Sequence, residues 1–165
     1  MDVVTEGKDT STTTLDPPPP TMMVPNQDLP VSLNVLVVDD AVMNRKLLVR
    51  LLQNKGHKCE QAVDGAEAVE KVSKALEAGK PFDSILLDYE MPQMDGPTAA
   101  SRMSQLQGFN SYVVGITGNV LPEDVAHFKK CGAQQVLPKP LDVLALTSLW
   151  EEAGIKAPSS QENNP

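Results

Sequence analysis

The chain has 165 residues, enough for one folded domain and too few for several. Apolar residues make up 41% and charged residues 22% of it, so a packed core is available and wholesale disorder is excluded. The net charge of −8 comes with no basic cluster, which excludes nucleic acid as a partner, because that affinity rests on neutralising phosphates with Lys and Arg.

Residues 1–32 read as a disordered Pro/Ser/Thr-rich tail. Six of the fourteen prolines fall there, Pro17 to Pro20 in a row, along with a Ser/Thr run from Thr10 to Thr14. Such a segment cannot bury enough apolar surface to offset its ordering entropy. The start, MDVVTEGKDT, lacks the basic and apolar regions of a signal peptide, and no run approaches the roughly 18 to 20 apolar residues of a membrane span. The expectation is a cytoplasmic protein with no membrane partner. Residues 157–165 turn polar again and read as a second disordered tail, leaving 33–156 as the folded domain.

Within those limits short apolar runs alternate five times with amphipathic stretches. Strands are expected at Val35–Val38, Lys58–Val63, Ser84–Leu87, Tyr112–Thr117 and Gln135–Leu137. Helices are expected at Met43–Asn54, Ala66–Ala78, Pro97–Gln105, Pro122–Lys130 and Leu141–Glu152. The first, third and fourth strands are near-continuous Val, Ile and Leu, as befits strands covered on both faces. The pattern predicts an α/β fold, a (βα)5 doubly wound parallel five-stranded sheet with helices on both sides.

In such a sheet the site lies beyond the carboxyl ends of the strands. The residues there are Asp39 and Asp40, Asp88, Thr117 with Gly118, and Lys139. Alone, an Asp at a strand end is more often a helix cap or turn former. Together, three carboxylates on one rim repel, at about 4 kcal/mol for a pair 4 Å apart at an effective dielectric of 20. A hard cation offsets that, and an all-oxygen donor set suits Mg²⁺. Lys139 adds a second positive charge. The result is an anion site containing a carboxylate nucleophile, which suits phosphoryl transfer. Asp88 is assigned as that nucleophile, since Asp39 and Asp40 form an adjacent pair better suited to the metal, while Thr117 and Lys139 are aimed at the phosphoryl oxygens.

VLVVDD at 35–40, ILLDYEMPQMDG at 85–96, VVGITGN at 113–119 and VLPKP at 136–140 resemble the receiver domain of two-component response regulators and hybrid histidine kinases. The four motifs follow at 49 residues from Asp39 to Asp88, 29 more to Thr117 and 22 more to Lys139. The resemblance implies a flavodoxin-like strand order of 2-1-3-4-5, Asp88 as the phosphoacceptor, and Mg²⁺ held by Asp39, Asp40, Asp88 and the backbone carbonyl of Glu90. It also implies a cis Lys139–Pro140 bond, and a sensor histidine kinase or histidine phosphotransfer protein as donor. The protein is expected to modify only itself and to be a monomer or weak dimer. It departs from the family at Val136, where an aromatic is common, so Thr117 is left to move the fourth strand and helix. The initial Met and the leader favour a stand-alone relay element over a piece of a hybrid kinase. Two other readings remain: an unphosphorylated docking module, or a small Asp-nucleophile phosphohydrolase, whose DxD pattern is missing around Asp88.

The remaining polar residues carry no assigned chemistry. Asp64 reads as a turn former, Asp95 as a loop acid, and His57 and His127 as surface histidines. Gly96 is expected to allow a positive φ or a tight approach. Cys59 and Cys131 read as reduced, buried small hydrophobes, and Leu121, Val125 and Phe128 as one core face.

Overall fold

In the computed structural model, which describes residues 32–155, strands and helices alternate without exception. They run β1 (Asn34–Val38), α1 (Val42–Asn54), β2 (Lys58–Ala62), α2 (Gly65–Glu77), β3 (Ser84–Asp88), α3 (Gly96–Ser104), β4 (Tyr112–Thr117), α4 (Pro122–Cys131), β5 (Gln135–Pro138) and α5 (Val143–Glu152). The expected tails lie outside the described residues, Ser32 excepted. All five strands pair in parallel in the order β2-β1-β3-β4-β5, as expected.

Alternation along each strand sends neighbouring side chains to opposite faces and creates two cores. Leu36, Val38, Ile85, Leu87 and Val113 point to one face, where Ala68 and Val72 of α2, Ala99, Ala100 and Met103 of α3, and Phe128 of α4 cover them. Val35, Val37, Leu86, Val114 and Ile116 point to the other, under Val49 and Leu52 of α1 and Leu146 and Trp150 of α5. The central strand β3 is buried along its whole length. Edge strand β2 alternates instead, with Lys58 and Glu60 exposed.

Several helices begin earlier or later than expected because of their caps. The Asp64 carboxylate accepts from the Glu67 N–H at 2.8 Å, so α2 starts at Gly65. The Asp95 carboxylate does the same for the Thr98 N–H at 2.8 Å, ahead of Pro97 in the first turn of α3. Both residues are helix caps, a role the reading as turn former and loop acid omitted. Asp142 caps α5 and delays its start to Val143.

Two glycines let Phe128 lie against the sheet. A Cβ on Gly115 would sit 2.5 Å from the Phe128 ring. One on Gly96 would sit 2.2 Å from the Asp88 carbonyl oxygen and 2.8 Å from the same ring. Gly96 therefore serves a tight approach, one of the two roles expected of it.

Three expectations change. Of the face formed by Leu121, Val125 and Phe128, only Phe128 is fully buried, and Leu121 is 50% exposed because it precedes the helix as its N-cap residue. Cys59 and Cys131 are unpaired but half-buried rather than buried, with burial pushing the Cys59 thiol up to about 11. His57 is not a surface residue. It is half-buried, its Nδ1 accepts from the Leu33 N–H at 3.2 Å, and its ring meets Trp150 edge-on at 5.3 Å.

Candidate functional site

Parallel pairing places the ends of β1, β3 and β4 side by side, and with them the acidic residues of the rim. Asp88 is the last residue of β3, opposite Ile116 of β4. Its carboxylate is almost wholly removed from solvent, with the residue only 4% exposed. One oxygen each from Asp39, Asp40 and Asp88 lies within 4.8 Å of the others. Asp39 and Asp88 are buried while Asp40 is exposed, so the cluster opens to solvent on one side. The cleft above it has a volume of about 770 Å³ and is lined by Asp40, Asp88, Glu90, Asn119 and Lys139 among others.

Lys139 reaches this cluster from the end of β5. Its Nζ lies 2.9 Å from Asp88 Oδ1 and 3.7 Å from Asp39 Oδ2. The peptide bond between Lys139 and Pro140 is cis, as the family pattern implied. The Lys139 N–H donates to the Thr117 carbonyl at 2.8 Å, which ties the lysine to the end of β4.

Charge in the cleft is unbalanced, with three carboxylates facing one ammonium. Burial pushes the Asp88 carboxyl up to about 6; the Lys139 hydrogen bond and charge oppose this shift, and the Asp39 and Asp40 charges add to it. Desolvation works against the Lys139 charge, yet the hydrogen bond to Asp88 and the three acids hold the ammonium above its usual value. The raising effect of Asp39 and Asp40 on Asp88, and the raised Lys139, reflect a pocket short of positive charge. The donor set fits a hard divalent cation, since three carboxylate oxygens are already gathered.

Asp39 is held in place by contacts the sequence did not reveal. Its Oδ1 accepts from the Ala41 N–H at 2.8 Å, and its backbone carbonyl accepts from Arg45 Nη1 at 2.7 Å. Arg45 is buried in α1 and also donates from Nε to Gln61 Oε1 at 3.2 Å, linking the ends of β1 and β2. Nothing in the sequence separates this arginine from a solvated one on the same helix. The Thr117 hydroxyl makes local bonds. The residue sits buried at the end of β4, and its hydroxyl donates to the Asn119 carbonyl at 3.0 Å and accepts from the Asn119 N–H at 3.1 Å. The hydroxyl is occupied locally and not bonded to Asp88. Glu90 lies on the cleft wall with its residue exposed.

Residues 35–151 match the response regulator receiver domain. The chain belongs to that family, whose members are the phosphoacceptor modules of two-component signalling. It is 37% identical over 134 residues to the sensor histidine kinase RcsC of Escherichia coli, covering 78% of this chain and 14% of RcsC. It is 34% identical over 131 residues to the sensor histidine kinase AruS of Pseudomonas aeruginosa, covering 78% of this chain and 13% of AruS. The chain thus spans about a seventh of the length of these relatives. Among solved structures, a chain of the CheX–CheY–BeF₃–Mg complex from Borrelia burgdorferi superposes with a TM-score of 0.68 at 30% identity, over 76% of this chain and 92% of that one. Among the described residues no helix is long and apolar enough to cross a membrane.

Proposed function

We propose that Asp88 is the phosphoacceptor of a His-to-Asp phosphorelay operating in the cytoplasm. One observation carries this reading: a buried carboxylate at the end of the central strand, bonded to Lys139 at 2.9 Å and flanked by two further acids within 4.8 Å. In the transfer, an Asp88 oxygen forms a bond to phosphorus as the donor's N–P bond breaks. The departing imidazole nitrogen keeps the bonding pair and takes a proton from water. Asp39, Asp40 and Asp88 would hold Mg²⁺, with the Glu90 backbone carbonyl beside them; the Mg²⁺ in the borrelial CheY complex supports this assignment. When bound, the ion supplies positive charge against the phosphoryl oxygens. Lys139 supplies a further positive charge to the same oxygens. Thr117 contributes once its hydroxyl leaves Asn119. The chain modifies only its own Asp88 and turns over no pool of substrate.

The donor is a sensor histidine kinase or a histidine phosphotransfer protein. Beside the acidic cleft, the exposed face of α1 carries Met43, 78% exposed, and Leu47, 60% exposed. Leu47, Leu48, Leu51, Pro140 and Leu141 line a groove that also contains Asp39 and shares Lys139 with the cleft. A partner presenting an apolar helical face around its histidine would seat there and bring the phosphoryl group to Asp88.

The test is labelling by a histidine-phosphorylated donor. Label on the wild-type chain should be stable in acid and released by hydroxylamine, and Asp88→Asn should lose it. Lys139→Ala should stay folded and take label far more slowly. Equal labelling of the Asp88→Asn variant would falsify the assignment.

A further inference from the structure

Tyr89 follows Asp88 directly, and its backbone is fixed on two sides. Its N–H donates to the Ile116 carbonyl in β4 at 2.8 Å, and its carbonyl accepts from the Gly96 N–H at the start of α3 at 2.8 Å. Its side chain runs to α4. The hydroxyl donates to Asp124 Oδ1 across 3.4 Å, and the ring meets the Phe128 ring edge-on, with centroids 5.3 Å apart at 82°. Among the described residues this is the only side-chain hydrogen bond joining the loop after Asp88 to α4.

Phe128 cannot respond by shifting alone. It is fully buried, and the missing side chains of Gly96 and Gly115 leave the space it fills. A movement that reaches Phe128 therefore reaches the helix that carries it. At 3.4 Å the hydroxyl contact is at the long end for a hydrogen bond and is readily given up. On β5, beside Gly115, Val136 has neither a ring nor a hydroxyl to compete for this role.

We propose that Tyr89 is the lever that carries phosphorylation of Asp88 to α4, with its hydroxyl on Asp124 in one state and off it in the other. A phosphoryl group adds charge and bulk at a residue whose neighbour is pinned along the backbone, so displacement passes through the side chain. Release of Asp124 returns a free carboxylate to the first turn of α4, and the Phe128 contact turns the helix with it. The surface altered is 122–131. This inference rests on Asp88 being the phosphoacceptor.

The experiment uses the full chain with acetyl phosphate and Mg²⁺, reading label by intact mass and the α4 response by hydrogen exchange of peptides covering 122–131. In the wild type, labelling should change exchange in α4. Tyr89→Phe and Asp124→Ala should take label to within about twofold of wild type while losing at least about half of the α4 response. Tyr89→Leu, which also removes the ring, should lose nearly all of it. An undiminished α4 response at equal labelling in Tyr89→Phe and Asp124→Ala overturns the lever alone, as does a wild-type chain that labels without any change in α4. A wild-type chain that takes no label overturns the Asp88 reading, and the lever with it.

Discussion

The contact between Gly115 and Phe128 makes the sharpest test of the packing behind the site. Replacing Gly115 with Ala would place a methyl 2.5 Å from one ring carbon and 2.7 and 2.9 Å from two others. Carbon contacts settle near about 3.5 Å, so the ring must retreat by roughly 1 Å. Its retreat is limited, because Gly96 also approaches the ring at Cζ and the Tyr89 ring packs against it. Overpacking of this kind costs about 1–3 kcal/mol, while exchanging Gly for Ala in a strand returns roughly 0.5–1 kcal/mol. A net loss of about 1–2 kcal/mol remains, which at a urea slope of about 2 kcal/mol/M lowers the midpoint by roughly 0.5–1 M. Phe128→Leu by itself should also destabilise, by vacating ring volume. In the double variant the new methyl occupies that volume, so Gly115→Ala should then cost nothing or stabilise. Urea unfolding of the four proteins gives the coupling energy, expected at about 1–2 kcal/mol. Additivity of the two single effects to within about 0.5 kcal/mol would refute the packing account.

Arg45→Met should cost about 2 kcal/mol in urea unfolding, since it leaves the buried Asp39 carbonyl without the donor now 2.7 Å away. Stability should also fall with pH because of His57. Burial, and secondarily the charge of Lys55, lower its pKa in the folded protein, so the unfolded chain takes up the proton first. Its contribution is complete above the ordinary value of 6.5 and is lost as pH falls below that toward the lowered folded value; His57→Gln should flatten this part of the urea midpoint against pH, and an unchanged slope would remove His57 as the cause. Asp95→Ala should lower stability by about 1 kcal/mol through loss of the α3 cap, whereas Asp95→Asn should stay close to wild type in thermal melts.

The fold was legible because β1, β3 and β4 are written as near-continuous apolar runs and the helices as amphipathic stretches, both local patterns. The rim residues were legible for a related reason: each stands at or just beyond the end of a strand, and parallel pairing brings those positions together. What stayed hidden depends on contacts between distant parts of the chain. His57 looks like a turn residue until Leu33 and Trp150 close over it. Arg45 looks solvated until the ends of β1 and β2 supply its acceptors. The bonds that the Thr117 hydroxyl makes to Asn119 depend on the turn that follows β4. Asp64 was visible as a turn former and Asp95 as a loop acid, yet whether an Asp before a helix caps it depends on one backbone bond three residues on.

A single layer of strands stands between α1 and α4, since their buried residues belong to cores on opposite sides of the sheet. A bulky phosphodonor seated against α1 would leave α4 uncovered. Whatever reads the altered helix can then be engaged before the donor has departed, and the two visitors need not take turns.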